Sequence, residues 1–449
     1  MSKRFRQPPP GETLRTALLA LLPADHVVHF INDVVQMLDI KLILDNYRSP
    51  EGNPPYDPSM MLKVWLYAYC DGIRSSRRVE KAMRENIAFR VLSNNQHPDH
   101  WTLNAFRKRH RAALADLFFQ TVQLAQRLNL VSLVSVAIDG TKIKANASKH
   151  SAMSYGRMTE EESRLRSLIA NYLDDCDKAD DDEARRSGGG PGNRLPDELA
   201  TKQKRLNAIQ AAKKALEEEA RETASAEQEE RRKKAEEEGR TFLVRKNPAD
   251  AVPDPKSQRN FTDPESRIMK GSGGKFVQAY NAQAAVDSAH QIIVAADLSN
   301  QSTDAPHLLP MAKQVIRNTG TIPLDITADA GYCSDQNLRD LCQLAVTPLI
   351  PPERVKHAVW RQNGVSTDIL DGLPPTEFAR QFLRTDEGRR RYKLRMQTVE
   401  PAFGQTKEAR GLRQFLHRGI ENVKCFWLLE CAAHNLLKIF RSGRLNPAF

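Results

Sequence analysis

A mixed α/β protein is what this sequence predicts, with an all-α domain ahead of its sheet and a helical insertion inside the sheet region. Three observations carry that expectation. Apolar residues recur at three-to-four spacing from about residue 12 to 125, and the period then collapses into a short Val/Leu/Ile-rich run that ends at Asp139. A charged helical stretch, from about 155 to 260, then separates that run from the strand signals that follow.

The N-terminal helices are read from LRTALLALL, FINDVVQMLDIKLILDNY, PSMMLKVWLYAYCDGI, VEKAMRENIAFRVL and LNAFRKRHRAALADLFFQTVQLAQRL, each with an apolar stripe at helical spacing. Thr102 is the expected cap of the last one. That helix carries Arg107, Lys108, Arg109 and Arg111, which reads either as a helix laid along a polyanion or as a solvated basic face. LVSLVSVAID is too short for a helix and is broken by Gly140, as a buried strand would be, and KIKANAS continues with rough alternation.

In the insertion, Leu199, Leu206, Ile209 and Leu216 stand at seven-three-seven spacing, the apolar seam of a short coiled coil or helical pair, after a SGGGPGN linker at 187–193. A solvated, protruding arm is the expectation. Strand signals resume in GKFVQAYNAQAAVD and QIIVAADLS, a hairpin turning near Ser288 and Ala289. A helix (APHLLPMAKQVIRN), a strand (PLDITADA), a helix (SDQNLRDLCQLA) and a strand (VTPLI) follow. Three strands, then helix, strand, helix, strand is the order of an RNase H-like mixed sheet with flanking helices. The expected boundaries are 1–128 for the helical domain, 129–150 with 262–445 for the sheet domain, and 151–261 for the insertion.

The chain has 449 residues, 40% of them hydrophobic, and a formal charge of +11. Between Glu377 and Arg444, 15 Lys and Arg stand against 7 Asp and Glu, so the basic surplus is concentrated in the last part of the chain, as a phosphate-binding surface would require. Six cysteines show no CxxC pair and no paired spacing with histidine, which indicates neither a disulfide framework nor a zinc site. No long apolar run or secretory leader is seen, and the reading is a cytoplasmic, nucleoid-associated protein with no membrane partner.

Asp139 and Asp329 each close a strand signal and are followed within two residues by glycine, in AIDGT and TADAGY. If the strand beginning at Val131 lies beside the one ending at Asp329, the two carboxylates meet at one edge of the sheet. Such a pair is costly unless protons or cations intervene, and hard oxygen donors suit magnesium. A lone aspartate at a strand end otherwise serves a turn or a cap. A third carboxylate lies in YKLRMQTVEPAFGQTKEARGLRQFLHRG, where Tyr392, Glu400 and Lys407 are eight and seven positions apart, close to two helical turns each. Pro401 means that a helix either starts at Glu400 or is kinked there.

At these residues the sequence resembles the DDE transposases of bacterial insertion sequences, the group with a Tyr-Arg-Glu-Lys signature. DGTKIKANAS, TADAGY and VEPAFGQTKEARGLRQFLHRG look like the three catalytic blocks, and YDPSMMLKVWLYAYCDGIRSSRRVEKAMRENIAFRVL looks like the helical domain that opens many of these enzymes. The resemblance implies Asp139, Asp329 and Glu400 as ligands of two Mg²⁺ ions, with Mn²⁺ as a substitute. It implies Tyr392, Arg395 and Lys407 as contacts to DNA phosphate, and the reading adds Lys142, Arg107 and Arg109 to the DNA-binding set. Four residues separate Arg395 from Glu400 where the family leaves three. In a continuous helix five positions turn by about 140°, which would carry Arg395 off the catalytic face.

The implied activity is cleavage at the ends of an insertion sequence and joining of the 3′-hydroxyls to target DNA, by a homodimer on double-stranded DNA that holds terminal inverted repeats and target. The long insertion follows the first aspartate, whereas better-described relatives carry theirs between the second and the glutamate, so a DNA-hairpin step is not transferred. The rival readings are an RNase H-like metal-dependent nuclease that cuts without joining, and an inactive DNA-binding descendant of a transposase.

Overall fold

The computed structural model describes residues 5–6, 12–47, 54–184, 197–242, 244, 247–271, 273–353 and 373–445. Two compact units make up the chain: Met1–Asn146 with Met269–Lys275 and Ala279–Phe449, and Ala147–Ile268 with Phe276–Gln278.

The first unit opens with α1 (Glu12–Leu19), α2 (Val27–Met37), α3 (Lys41–Leu44), α4 (Pro58–Cys70), α5 (Ser76–Glu85), α6 (Ile87–Leu92), α7 (His100–Arg109) and α8 (Arg111–Arg127). These helices are shorter than the apolar periodicity alone suggests, because polar side chains restart them. Asn86 accepts the Ala88 amide at 2.8 Å and begins α6 inside what reads as one helix. Asp99, not Thr102, caps α7, accepting the Thr102 amide at 2.7 Å. His110 divides α7 from α8; its buried ring meets Asn46 Nδ2 at 3.3 Å and the Tyr47 hydroxyl at 3.0 Å.

Strand β1 (Ser135–Lys144) leads into the second unit, which holds β2 (Ala152–Ser154), α9 (Tyr155–Ala184), α10 (Asp197–Glu237) and β3 (Gln258–Asn260), with β2 and β3 paired antiparallel. The linker at 187–193 lies outside the described residues. Leu206, Ile209 and Leu216 of the expected seam pack with Ala212, Met158 and Leu165 in one apolar cluster, while Leu199 is buried outside it. Tyr155 meets Glu217, whereas Glu162 meets Lys213 at 3.1 Å and Glu161 meets Arg205 at 3.4 Å, so the two helices run antiparallel.

The chain continues through β4 (Arg267–Lys270), β5 (Phe276–Asp287), β6 (Ile293–Ser299), α11 (Leu308–Thr319), β7 (Asp325–Thr327), α12 (Asp335–Gln343), β8 (Thr347–Leu349), α13 (Pro375–Phe382), α14 (Asp386–Gly404) and α15 (Ile420–Ser442). The sheet order is β4-β5-β1-β7-β8, with β6 on β5. β1, β5 and β6 are antiparallel, and β7 and β8 join β1 in parallel through helical crossovers. This is the mixed sheet of an RNase H-like fold, flanked by helices and preceded by helices. α15 packs against α4, α8 and β6 and buries Phe426, Trp427, Leu429 and Leu436. Its interior charge, Glu430, pairs with Arg74 and lies 3.9 Å from Arg410, so this apolar helix carries a buried ion cluster. Among the described residues no helix is long and apolar enough to cross a membrane.

Candidate active site

Strand register brings the two aspartates together. Ser135, Val136 and Ala137 of β1 face Asp325, Ile326 and Thr327 of β7, and two residues beyond this pairing on each strand stand Asp139 and Asp329, whose charge acts on Asp139. Asp139 does not end its strand, as the sequence reading had it. β1 runs on to Lys144, held by β5 on its other side, with Asp139 opposite Ala284. What ends is β7. Beyond Thr327 the chain leaves the sheet, and Asp329 turns to cap a short helical turn by accepting the Gly331 amide at 2.8 Å. The carboxylates therefore stand where a parallel pair separates, which opens the sheet edge to a ligand.

Burial pushes the Asp139 carboxyl up to about 6; the Arg395 guanidinium opposes the rise, and the negative charge of Asp329 adds to it. Gly140, next in β1, has no room for a side chain. A Cβ there would strike the Gln283 amide and come within 2.6 Å of Asp304 Oδ1 and 2.9 Å of Asn281 Oδ1.

The third carboxylate arrives on α14, which stays helical through Pro401 and passes into a π-helical turn over Gln405–Ala409. The helix thus neither starts nor stops at Glu400. Arg391 and Arg395, one turn apart, face the sheet. Arg391 Nε donates to the buried Asp325 carboxylate at 2.8 Å, and Arg395 Nη2 donates to Asp139 Oδ2 at 2.7 Å. Arg395 Nη1 also lies 3.9 Å from Glu400 Oε1. The helical turn does set Glu400 toward solvent, but the guanidinium is long and forked enough to span from one carboxylate to the other. Arg395 and Glu400 thus lie on different faces of the continuous helix, as five positions require, and it is the sheet-facing Arg395 that meets Asp139.

Tyr392 is half-buried against Leu349, Phe382 and Leu383, and burial raises its hydroxyl above the usual phenol range. Lys407 is also half-buried, and burial, with Arg413 nearby, holds its amine below the usual lysine value. Lys142 is already engaged: its Nζ donates to both oxygens of Asp304, at 2.8 and 3.0 Å.

Arg109 is exposed, with its guanidinium 5.8 Å from the Tyr47 ring centre. Arg107, grouped with it on sequence, is only 5% exposed. Its guanidinium stacks 3.7 Å over the Trp65 ring and 4.7 Å from that of Phe426, and donates to the Arg74 carbonyl at 3.0 Å. Arg107 lies on the apolar side of α7, so it sits inside the unit rather than on the surface assigned to it.

Sequence reasoning missed the polar group under the aspartates. Asp304 Oδ1 accepts from Asn281 Nδ2 at 2.7 Å and Gln283 Nε2 at 3.0 Å, and Gln283 Oε1 accepts from the buried Tyr332 hydroxyl. Burial, reinforced by Asp304, Asp139 and Asp329, raises that phenol well above its ordinary value. A signal was present: Asn281 and Gln283 are polar residues two apart in a mostly apolar strand, so they share one buried face. Among the described residues no three His, Cys, Asp or Glu side chains are grouped as a metal cage. The cationic group in contact with Asp139 is the Arg395 guanidinium.

An RNase H-like sheet with aspartates at a parallel strand edge and a glutamate on a covering helix defines the class of nucleic-acid-processing enzymes. Two family models match the chain: a transposase domain (DUF772) over residues 16–109 and a transposase DDE domain over residues 241–436. The chain belongs to the DDE transposases of the insertion-sequence type. The second match contains Asp329, Tyr392, Arg395, Glu400 and Lys407, while Asp139 lies between the two matches. The family binds DNA, acts in transposition and recombination, and generally uses divalent metal ions. No curated protein and no solved structure matches the chain.

Proposed function

We propose that this transposase cleaves the ends of its insertion sequence and joins the freed 3′-hydroxyls to target DNA at one site built from Asp139, Asp329 and Glu400. The observation that carries this reading is the Arg395 guanidinium placed between Asp139 and Glu400, beside a third carboxylate. A guanidinium spanning two carboxylates marks a place where positive charge is stabilised, and the hard oxygen donors suit Mg²⁺ or Mn²⁺. Asp139 and Asp329 offer hard oxygen donors, and Glu400, exposed on α14, would complete the set by turning inward as Arg395 withdraws from Asp139. Two such ions would supply Lewis-acid stabilisation of the attacking and leaving oxygens in an in-line displacement.

The protein's own groups do the rest. Asp139, Asp329 and Glu400 would hold the ions. Lys407 and Tyr392 hold the phosphate, and Arg395, released from Asp139, joins them. In the first step a water oxygen bonds to phosphorus, the bond from phosphorus to the 3′-oxygen breaks, and that oxygen leaves as a 3′-hydroxyl. In the second step the hydroxyl attacks a target phosphate and displaces another 3′-oxygen, with no covalent protein intermediate. Two ends handled together call for a homodimer on inverted-repeat and target DNA. In this reading residues 1–128 serve DNA binding or dimerisation, 129–150 with 262–445 carry catalysis, and 151–261 form an arm.

The test incubates the protein and Mg²⁺ with DNA carrying the inverted repeats that flank its gene, comparing wild type with Glu400→Gln on a sequencing gel. Cleavage at the repeat ends with joined products, both lost in the variant, is the expected result. Cleavage without joining favours a nuclease, and cleavage that survives the substitution removes Glu400 from the site.

A further inference from the structure

We infer that Gln291, in the turn between β5 and β6, is a positioning residue that fixes Glu400 by replacing the backbone hydrogen bond Pro401 deletes. The inference rests on the carboxylate site proposed above. In an α-helix the amide of residue 401 would donate to the carbonyl of Gln397, four residues back, but proline has no N–H. α14 continues through Pro401 all the same, and the Gln397 carbonyl accepts from Gln291 Nε2 at 2.7 Å. The freed carbonyl lies three residues before Glu400, on the turn that carries it.

Gln291 is itself anchored on the other side. Its Oε1 accepts from Lys438 Nζ at 2.6 Å and from Gln405 Nε2 at 3.5 Å, and its main-chain carbonyl accepts from His434 Nε2 at 2.8 Å. The backbone of Gln291 is left-handed, with φ +58°, a conformation that non-glycine residues adopt rarely. The Asp287 carbonyl holds that turn by accepting the Gln291 amide at 3.1 Å. One side chain thus links the β5–β6 turn, the Glu400 helix at its weakest hydrogen bond, and α15. Asp139 faces Ala284 on β5, so the same hairpin supports the first carboxylate.

The experiment is a cycle of Gln291→Met, which keeps length without the amide, and Pro401→Ala, which restores an N–H for the Gln397 carbonyl. The readouts are the Mn²⁺ concentration giving half-maximal cleavage, the Mn²⁺-induced thermal stabilisation of the protein–DNA complex, and repeat-DNA affinity without metal. Gln291→Met is expected to raise the half-saturating Mn²⁺ about tenfold in both metal readouts and to leave DNA affinity unchanged, and the double variant to return near the Pro401→Ala value. Lys438→Met, which removes only the α15 contact, should move the metal dependence less than Gln291→Met.

An unaltered Mn²⁺ dependence in Gln291→Met overturns the inference, as does a loss that Pro401→Ala leaves unrescued or that Lys438→Met reproduces in full. Glu400→Gln, run alongside, separates this inference from the one beneath it. If that variant keeps the wild-type Mn²⁺ response, the carboxylate assignment falls. If it loses the response while Gln291→Met keeps it, the role of Gln291 alone falls.

Discussion

Asp139 and Arg395 form the contact on which the proposed site turns. The pair at 2.7 Å neutralises a carboxyl that burial has pushed up to about 6. A metal ion entering there must displace both a guanidinium and, at acid pH, a proton. The folded value lies above the ordinary aspartate value, so protons compete below about pH 6. Apparent Mn²⁺ affinity, measured by titration calorimetry, is expected to be nearly flat above that pH and to fall by up to about tenfold per unit below it. Arg107 and Lys407 invite the opposite comparison. Arg107→Ala removes a guanidinium stacked on Trp65 and Phe426, and should lower the melting temperature while leaving the salt dependence of DNA binding unchanged. Lys407→Ala should leave stability close to wild type and reduce the slope of log K against log salt by about 1, the share of one phosphate contact.

Among elements, α14 bears the most consequence, since it carries Tyr392, Arg395 and Glu400 and is tied to two strands by arginines one turn apart. The Arg391 bond to Asp325 is the firmer tie, because Asp325 is buried and its second carboxylate oxygen has no hydrogen-bond partner among the described residues. Arg391→Leu strands that charge and is expected to cost about 3–5 kcal/mol in urea unfolding. Arg391→Leu combined with Asp325→Leu should cost less than Arg391→Leu alone, because no buried charge is then left unpaired. The α9 and α10 pair draws its stability from a narrow seam instead. Its exposed faces carry i,i+3 and i,i+4 ion pairs such as Arg164 with Glu161 and Lys214 with Glu218, which solvent screens and which add little to stability.

For the folded molecule as a whole, two buried histidines, His110 and His434, and the half-buried His417 are expected to contribute to the response to acid. Burial holds His110 down to about 4, and His417 and His434 down to about 3. Arg109 adds to the effect at His110, and Arg107 and Lys108 at His417, while at His434 Arg410 adds to it and the Gln291 carbonyl opposes it. These folded values lie below the ordinary histidine value of about 6.5, so between about pH 6.5 and 4 the unfolded chain binds more protons than the folded one. Stability is therefore fully present above about pH 6.5 and lost as pH falls, by up to about 1.4 kcal/mol per unit for each histidine. Melting followed by circular dichroism from pH 7.5 to 4.5 should show this decline, and His417→Gln should flatten it. A decline of the same steepness in that variant would assign the acid sensitivity elsewhere.

Much of this protein is legible in the sequence because its signals are local. Apolar spacing finds the helices and strands, the leucine and isoleucine seam finds the α9 and α10 contact, and the blocks around Asp329 and Glu400 point to the transposase family, since each needs only its own neighbours to be read. Helix boundaries were less legible, because Asn86 and Asp99 decide them by capping within continuous apolar patterns. The tertiary structure alone decided what depends on partners far away in the chain. It brought the Asp329 charge to bear on Asp139 through the parallel pairing of β1 with β7, set Arg395 against Asp139 by laying α14 on β1, and turned Arg107 inward onto Trp65. It also supplied Gln291 to the carbonyl that Pro401 leaves free. The physical reason is the same in each case. A residue's type limits which bonds it can make, but strand register and helix packing determine which groups come within the roughly 3 Å where those bonds form.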